Sequence, residues 1–321
     1  MIKPAPLSFL PYLKNVIWGG CRISEYKGMP DVGGNIGESW EISALEGHES
    51  VVKSGEYKGY PLSRLTEEFG ISLLGKGVYD EYEGKFPLLV KLIDTKDNVS
   101  VQVHPDDRIA LERHGCPGKT EMWYIINATD GAKIYAGLAQ DLTPDQYEKA
   151  VEDGNLMEML SEFESSPGDV YFLPAGTIHA IGAGNLMVEI QQSSDITYRI
   201  FDYGRRDKDG NKRDLHTGLA KEAINYNKGE GCKKKIIYNE SGATILAECE
   251  HFTTSLVRIK GERDFDFDSD SFTVLNCVEG EALLKYAGGE NFVKTGDTLL
   301  LPAVLSSFSL IGNATFLITK P

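Results

Sequence analysis

Apolar and polar positions alternate in short runs along most of the chain, each run closed by Gly, Asn or Asp. This is the period-two pattern of half-buried strands rather than the 3.6-residue period of helices. With 34 glycines to supply turns, the spacing predicts a mainly β chain arranged as a sandwich or barrel. Helices are the minority. The clearest is expected from Thr143 to about Phe163, where Thr143 and Gln146 can form a capping box and Pro144 takes the first helical position. Tyr147, Val151, Leu156 and Leu160 give that segment an apolar stripe. A second helix is expected from Pro61 to Leu74, and shorter ones at Asp106 to Arg113 and Leu215 to Ile224.

One internal repeat stands out. Gly168-Asp169-Val170-Tyr171-Phe172-Leu173-Pro174-Ala175 recurs as Gly296-Asp297-Thr298-Leu299-Leu300-Leu301-Pro302-Ala303, and Gly184-Asn185 recurs as Gly312-Asn313. Repetition of this kind predicts two related β units, each with a Gly-Asp turn feeding an apolar strand. The copies differ where chemistry is concerned, because His179 of the first is matched by Ser307 in the second. Any reaction that depends on that histidine belongs to the first unit.

Charge narrows the class of partner. The chain carries 33 Lys and Arg against 48 Asp and Glu, a net charge of −15, whereas a nucleic-acid surface needs a basic face. Nucleic acid is therefore not an expected partner. No apolar run approaches the ~20 residues of a membrane span, and Pro4, Pro6 and Pro11 interrupt the segment where a signal peptide would be apolar. The expectation is a soluble cytoplasmic protein. Its five cysteines, Cys21, Cys116, Cys232, Cys249 and Cys277, are scattered without a Cys-x-x-Cys pair and are expected to be reduced.

Candidate chemistry gathers in four segments. Val99 to His104 alternates strictly, so a strand there puts three valines on one face and Ser100, Gln102 and His104 on the other. In Lys119-Thr120-Glu121-Met122-Trp123, Lys119 and Glu121 share a face at one end of a strand that is otherwise apolar, as at the mouth of a barrel. A Pro174-x-Gly176 turn then delivers His179. Together Gln102, His104, Glu121 and His179 offer two imidazoles, a carboxylate and an amide oxygen, a set suited to Zn²⁺ or another divalent first-row ion left open for catalysis. In the fourth segment Glu189 and Gln191 share a face, and Arg199 and Arg205 follow. Lys119, Arg199 and Arg205 around one pocket would form a positive field for an anionic substrate such as a sugar phosphate. His48, His114, His216 and His251 are read as structural or surface residues.

The spacing Gly168-x5-Pro174-x-Gly176-x2-His179 resembles the second motif of the cupin superfamily, and Gln102, His104 and Glu121 resemble a variant of the first. Within cupins the strings Ile17-Trp18-Gly19-Gly20, Gly37-Glu38-Ser39-Trp40-Glu41, Phe86-Pro87-Leu88-Leu89-Val90-Lys91, Val101-Gln102-Val103-His104-Pro105-Asp106-Asp107, Gly118-Lys119-Thr120-Glu121-Met122-Trp123 and Pro174-Ala175-Gly176-Thr177-Ile178-His179-Ala180 resemble type I mannose-6-phosphate isomerases. The resemblance implies a double cupin, a jelly-roll β-barrel with a few short helices. Residues 1–240 would be the metal-binding catalytic unit, with a helical insertion near 143–163, and 241–321 a metal-free cupin-like unit, as in the family's short bacterial form. It implies one zinc ion held by Gln102, His104, Glu121 and His179, a catalytic Arg199, a pocket carboxylate at Glu189, and Ser100, Lys119 and Arg205 lining the substrate pocket. The implied reaction is the interconversion of mannose 6-phosphate and fructose 6-phosphate through an enediolate, with Glu189, Lys119 or a metal-bound water as the base. An isomerase of another sugar or sugar phosphate, a sugar-binding cupin without activity, and a metal-dependent dioxygenase are the alternatives.

Overall fold

The structure, a computed structural model, describes residues 1–30, 33–207, 209–239 and 242–321. It is mainly β and holds three antiparallel sheets. In the first unit a seven-stranded sheet has Asn185–Gln192 at its centre, flanked by Glu121–Ala128 and Leu88–Asp94, with Val170–Leu173 and Ile36–Ile42 beyond. A five-stranded sheet runs in the order Tyr198–Phe201, Val101–Val103, His179–Ile181, Lys133–Leu138, Leu160–Glu164. The second unit is built on three 14-residue strands, Thr253–Asp266, Thr273–Tyr286 and Ser307–Lys320.

Strand periodicity assigns each side chain of the central strands to one of two interiors. Met122, Val188, Ile190, Val90 and Leu92 join a core shared with the second unit, whose contributors include Phe272, Leu300 and Leu317. The intervening residues Trp123, Ile125, Met187 and Ile93 pack into the first barrel with Trp18, Val99 and Ile181. The same inward face carries Lys91, Glu121 and Glu189, so the polar groups of the site sit among the apolar lining of one barrel.

The repeat is visible in the backbone. Gly168 and Gly296 both adopt positive φ, +89° and +85°, a conformation that glycine takes without the Cβ penalty. Each precedes a short strand, Val170–Leu173 and Thr298–Leu301. The boundary expected near 240 is not a clean cut. N-terminal strand Leu7–Leu10 pairs with Thr298–Leu301 of the second unit and with Val51–Val52.

Two helix expectations are corrected. The Thr143 capping box is present, but the helix covers Pro144–Glu152 and stops at Asp153-Gly154. A 3₁₀ turn, Leu156–Met159, and a strand, Leu160–Glu164, complete the segment that had read as one helix. Leu156 and Leu160 continued the helical spacing by coincidence, and Leu160 pairs instead with Leu138. The Pro61 to Leu74 segment is likewise divided, into Leu62–Phe69 and Ile71–Leu74, by Gly70 at φ +42°. Helices Asp107–His114 and Thr217–Ala223 lie where the sequence predicts them. Among the described residues no helix is long and apolar enough to cross a membrane. All five cysteines are free.

Candidate metal centre and active site

His104, Glu121 and His179 converge in the first barrel, their ligand atoms all within 4.8 Å of one another and all three side chains buried. Three local features bring them together. Gly176, at φ +88°, forms the turn after Pro174 and donates its N–H to the His104 carbonyl at 2.8 Å. His179 opens the following strand in register with Gln102. Glu121 opens its own strand, in register with Leu173 on one side and Gln191 on the other.

Each imidazole donates from Nδ1 to a backbone carbonyl at 2.8 Å, His104 to Ile196 and His179 to Thr177. A carbonyl can only accept, so the Nε2 lone pair of each ring is directed to the common centre, the outer-shell arrangement usual for metal-binding histidines. His104 Nε2 lies 3.6 Å from Glu121 Oε2 and His179 Nε2 lies 3.4 Å from Glu121 Oε1. The Gln102 amide sits 3.2 Å from His179 Nε2, and turning that amide about its last bond would offer the same centre an oxygen.

Electrostatics favour a cation at this centre. Burial raises the Glu121 carboxyl to about 7 even though Lys119 Nζ contacts it. Glu121 Oε1 is buried with no hydrogen-bond partner among the described residues, and such an atom is costly to leave unpaired. Burial, reinforced by Lys119, pushes both imidazoles down, His179 to about 4, which keeps them in the neutral form that binds a metal. Two neutral imidazoles, a carboxylate with a spare oxygen and a nearby amide therefore fit a divalent ion.

Beside the centre lies a cavity of about 300 Å³ whose lining includes Ser100, Gln102, Lys119, Glu189 and Arg199, with Gln102 and Lys119 in contact with the cluster. Apolar side chains of Val16, Trp18, Ile93, Val99 and Ile181 complete the wall. Five cations, Lys14, Lys91, Lys119, Arg199 and Arg213, face three carboxylates, Glu38, Glu189 and Asp195. In a chain of net charge −15, this local excess of positive charge suits an anionic ligand.

Two sequence-derived candidates make contacts that bear on their roles. Glu189 is in the cavity wall, but both its oxygens are taken: Lys91 donates to Oε1 and the Trp123 indole to Oε2, each at 2.9 Å. The contacts follow from register, Glu189 being opposite Lys91 on one side and Trp123 on the other. Burial alone would raise this carboxyl, yet the Lys119 and Lys91 ammoniums and both hydrogen bonds outweigh it and bring it to about 2. A carboxylate so held is a poor proton acceptor. Arg205 is outside the cavity lining. Its Nε donates to the Asp202 carbonyl, Nη1 to the Asn98 carbonyl and Nη2 to Asp202 Oδ1, so its role is to hold the loop.

Other wall residues went unassigned in the sequence. Lys91 is a charge within an apolar run, Leu88 to Ile93, a legible signal of a buried ion pair. Its partners Glu189 and Glu38 keep its pKa above the ordinary lysine value against the opposing effect of burial. Arg213 lies in a polar loop with no pattern to mark it. His216, read as structural or surface, accepts the Arg199 N–H at Nδ1 and lines the cavity.

The Lys91–Glu189 pair makes an acid-dependent contribution to stability. Glu189→Gln is expected to lower the unfolding free energy by about 3 kcal/mol at pH 7, near the cost of breaking a buried pair. The carboxyl titrates lower in the folded chain than its ordinary 4.5. Its contribution is therefore complete above about 4.5 and is lost as pH falls toward about 2. Urea titrations of wild type and variant should converge on acidification, and a gap that stays constant down to pH 3 would contradict the pairing.

Comparison with known proteins places these features in a family. Residues 7–168 match the family model described as phosphomannose isomerase type I, catalytic domain, and residues 242–321 match mannose-6-phosphate isomerase, cupin domain. Two similar curated proteins are the mannose-6-phosphate isomerase ManA of Bacillus subtilis, 35% identical over 96% of both chains, and the mannose-6-phosphate isomerase of Streptococcus mutans, 33% identical over 96% of both. The crystal structure of the Bacillus subtilis mannose 6-phosphate isomerase superposes with a TM-score of 0.88 at 35% identity, covering 98% of this chain and 99% of that one.

Proposed function

The chain belongs to the type I phosphomannose isomerase family, and from that premise we propose that it interconverts mannose 6-phosphate and fructose 6-phosphate at the His104–Glu121–His179 centre. It is an aldose–ketose isomerase. The observation that carries the reading is the buried two-histidine, one-carboxylate cluster beside a cationic cavity, joined to it through Gln102 and Lys119. A divalent ion, for which zinc suits the donors, would be held by Gln102, His104, Glu121 and His179 and would polarise the sugar oxygens.

The chain's own residues do the rest. Arg199 stands directly across the strand pair from Gln102 and offers a fixed cation where negative charge develops on the C1 and C2 oxygens of an enediolate. Its own backbone is anchored to His216 by a reciprocal pair, His216 N–H to the Arg199 carbonyl at 2.6 Å and Arg199 N–H to His216 Nδ1 at 3.1 Å. With both Glu189 oxygens taken, the remaining side chain able to carry the proton between C2 and C1 is Lys119, which can accept it only as the neutral amine. Its Nζ is buried at the cavity wall, 3.0 Å from His104 Nε2 and 3.9 Å from Glu189 Oε1. Glu189 stays ionised as a counter-charge to Lys91, and Ser100 contributes to sugar binding. Trp18, Ile93, Val99 and Ile181 exclude water from the reactive intermediate. Ser307, on the surface of the second unit and hydrogen-bonded to Asp266, supports a purely structural role there. Free thiols and a phosphorylated substrate support a cytoplasmic setting.

The test is fructose 6-phosphate formation from mannose 6-phosphate by the protein as purified, after chelation and after zinc is restored. Turnover should fall by at least about 10³-fold on chelation, more than the loss of a single electrostatic donor, and should return with zinc. A protein with one metal per chain and no turnover would shift the substrate to another sugar or sugar phosphate.

A further inference from the structure

Three arginines surround one carboxylate beside the cavity, and counting their donors separates them. Asp202 Oδ1 accepts from Nη2 of both Arg205 and Arg213, and Asp202 Oδ2 accepts Arg213 Nε at 2.8 Å. Each Arg205 nitrogen already meets a protein oxygen, through three of its five N–H groups. Arg213 binds through Nε and Nη2 alone, which leaves Nη1 without a protein partner among the described residues. Arg199 gives Nη1 to the Asp214 carbonyl at 3.1 Å, and its Nε is buried with no partner among the described residues.

His216 adds a neutral donor. Because its Nδ1 accepts the Arg199 N–H, the ring proton belongs on Nε2. Arg199, Arg213 and His216 all line the cavity, whereas Arg205 does not. Cationic charge here is in excess of its protein counter-ion: burial and then the Arg213 charge push the Arg199 guanidinium down, with Asp202 opposing. An oxyanion with several acceptor oxygens would both use the spare donors and relieve the repulsion, and a planar guanidinium suits phosphate in particular.

We propose that Arg213, with the Nε2–H of His216, forms the anchor for the substrate's phosphate, and that Asp202 positions Arg213 without touching the substrate, while Arg205 only braces the loop. The assignment rests on the sugar-phosphate reading and replaces Arg205 as the phosphate residue. It explains why one carboxylate serves two arginines. Asp202 fixes the Arg213 fork by a two-point contact, so less conformational freedom is lost when an anion binds.

The experiment combines kinetics with footprinting. Arg213→Ala should raise KM for mannose 6-phosphate by roughly 10- to 100-fold, the range for losing hydrogen bonds to a charged group, with kcat changed less than KM. Arg205→Ala should instead lower Tm and leave KM within about threefold. Because either variant could fold poorly, the wild-type protein supplies an independent reading. Inorganic phosphate should slow phenylglyoxal modification of Arg213, read by peptide mass spectrometry, and leave that of Arg205 unchanged. A KM increase greater for Arg205→Ala than for Arg213→Ala, or no protection of Arg213 by phosphate, would overturn the assignment. Protection at Arg213 in a protein that does not isomerise mannose 6-phosphate would retain the anion site and remove the proposed reaction.

Discussion

Glu121→Gln is expected to give a folded protein that retains less than one-tenth of its metal after dialysis and turns over more than about 10³-fold more slowly, beyond the 10²- to 10³-fold cost of losing one electrostatic donor. The change keeps side-chain volume and removes the one negative charge among the four ligands, and a neutral amide holds a divalent ion far less well than a carboxylate does. Glu121 is fully buried beside two neutral imidazoles and Lys119, so without a negative ligand an incoming cation would meet uncompensated positive charge in a low-dielectric site. Stability should follow binding. A ligand at 1,000 times its dissociation constant adds about 4 kcal/mol to the folded state, so zinc should raise the Tm of wild type and leave that of the variant unmoved. Metal content by elemental analysis, turnover and the zinc-dependent Tm shift measure the three effects. One metal per chain with ordinary turnover would remove Glu121 from the ligand set.

Arg199→Ala should separate charge stabilisation from metal binding. The expected result is a kcat lower by about 10²- to 10³-fold, typical of deleting a preorganised group that meets developing charge, with one metal still bound per chain. Arg199 does not contact His104, Glu121 or His179 by any hydrogen bond or ion pair among the described residues, so the centre itself should survive. Arg199→Lys restores a point charge but not the fork, and should recover part of the loss. Because Arg199 also donates to the Asp214 carbonyl, the alanine variant loosens the segment that carries Arg213 and His216. Its KM should therefore rise as well. Near-normal kcat in a metal-loaded Arg199→Ala protein would remove the catalytic role.

Much of the site was legible because strand chemistry is local. Strict alternation through Val101, Gln102 and Val103 sends alternate side chains to opposite faces, and the structure buries both valines in a core while Gln102 lines the cavity. The Pro174-x-Gly176 turn needs a residue that tolerates positive φ, and the histidine three positions later is carried to the centre by that turn. The repeat, with Ser307 matched to His179, pointed to the first unit, where His104, Glu121 and His179 cluster. Helix ends were less legible. Leu156 and Leu160 satisfy a helical stripe, yet Gly154 ends the turn and pairing with Leu138 makes Leu160 part of a strand, a long-range choice that local spacing does not contain.

By itself, then, the amino-acid sequence determined the residue types of the metal centre, the alternation that turns them inward, and the family whose strings it shares, since each is encoded within a few neighbouring positions. Tertiary structure alone decided which charges meet. Lys91 and Glu189 are 98 positions apart, and only the pairing register of the strands sets them opposite each other and gives both Glu189 oxygens a donor. Arg205 and Arg213 look alike along the chain, and only the fold ties each Arg205 nitrogen to a protein oxygen outside the cavity lining while leaving Arg213 in that lining with Nη1 unbonded among the described residues. The cause is geometric: a side chain's chemistry is written in its type, but the availability of its protons and lone pairs depends on which distant groups the fold has already given them.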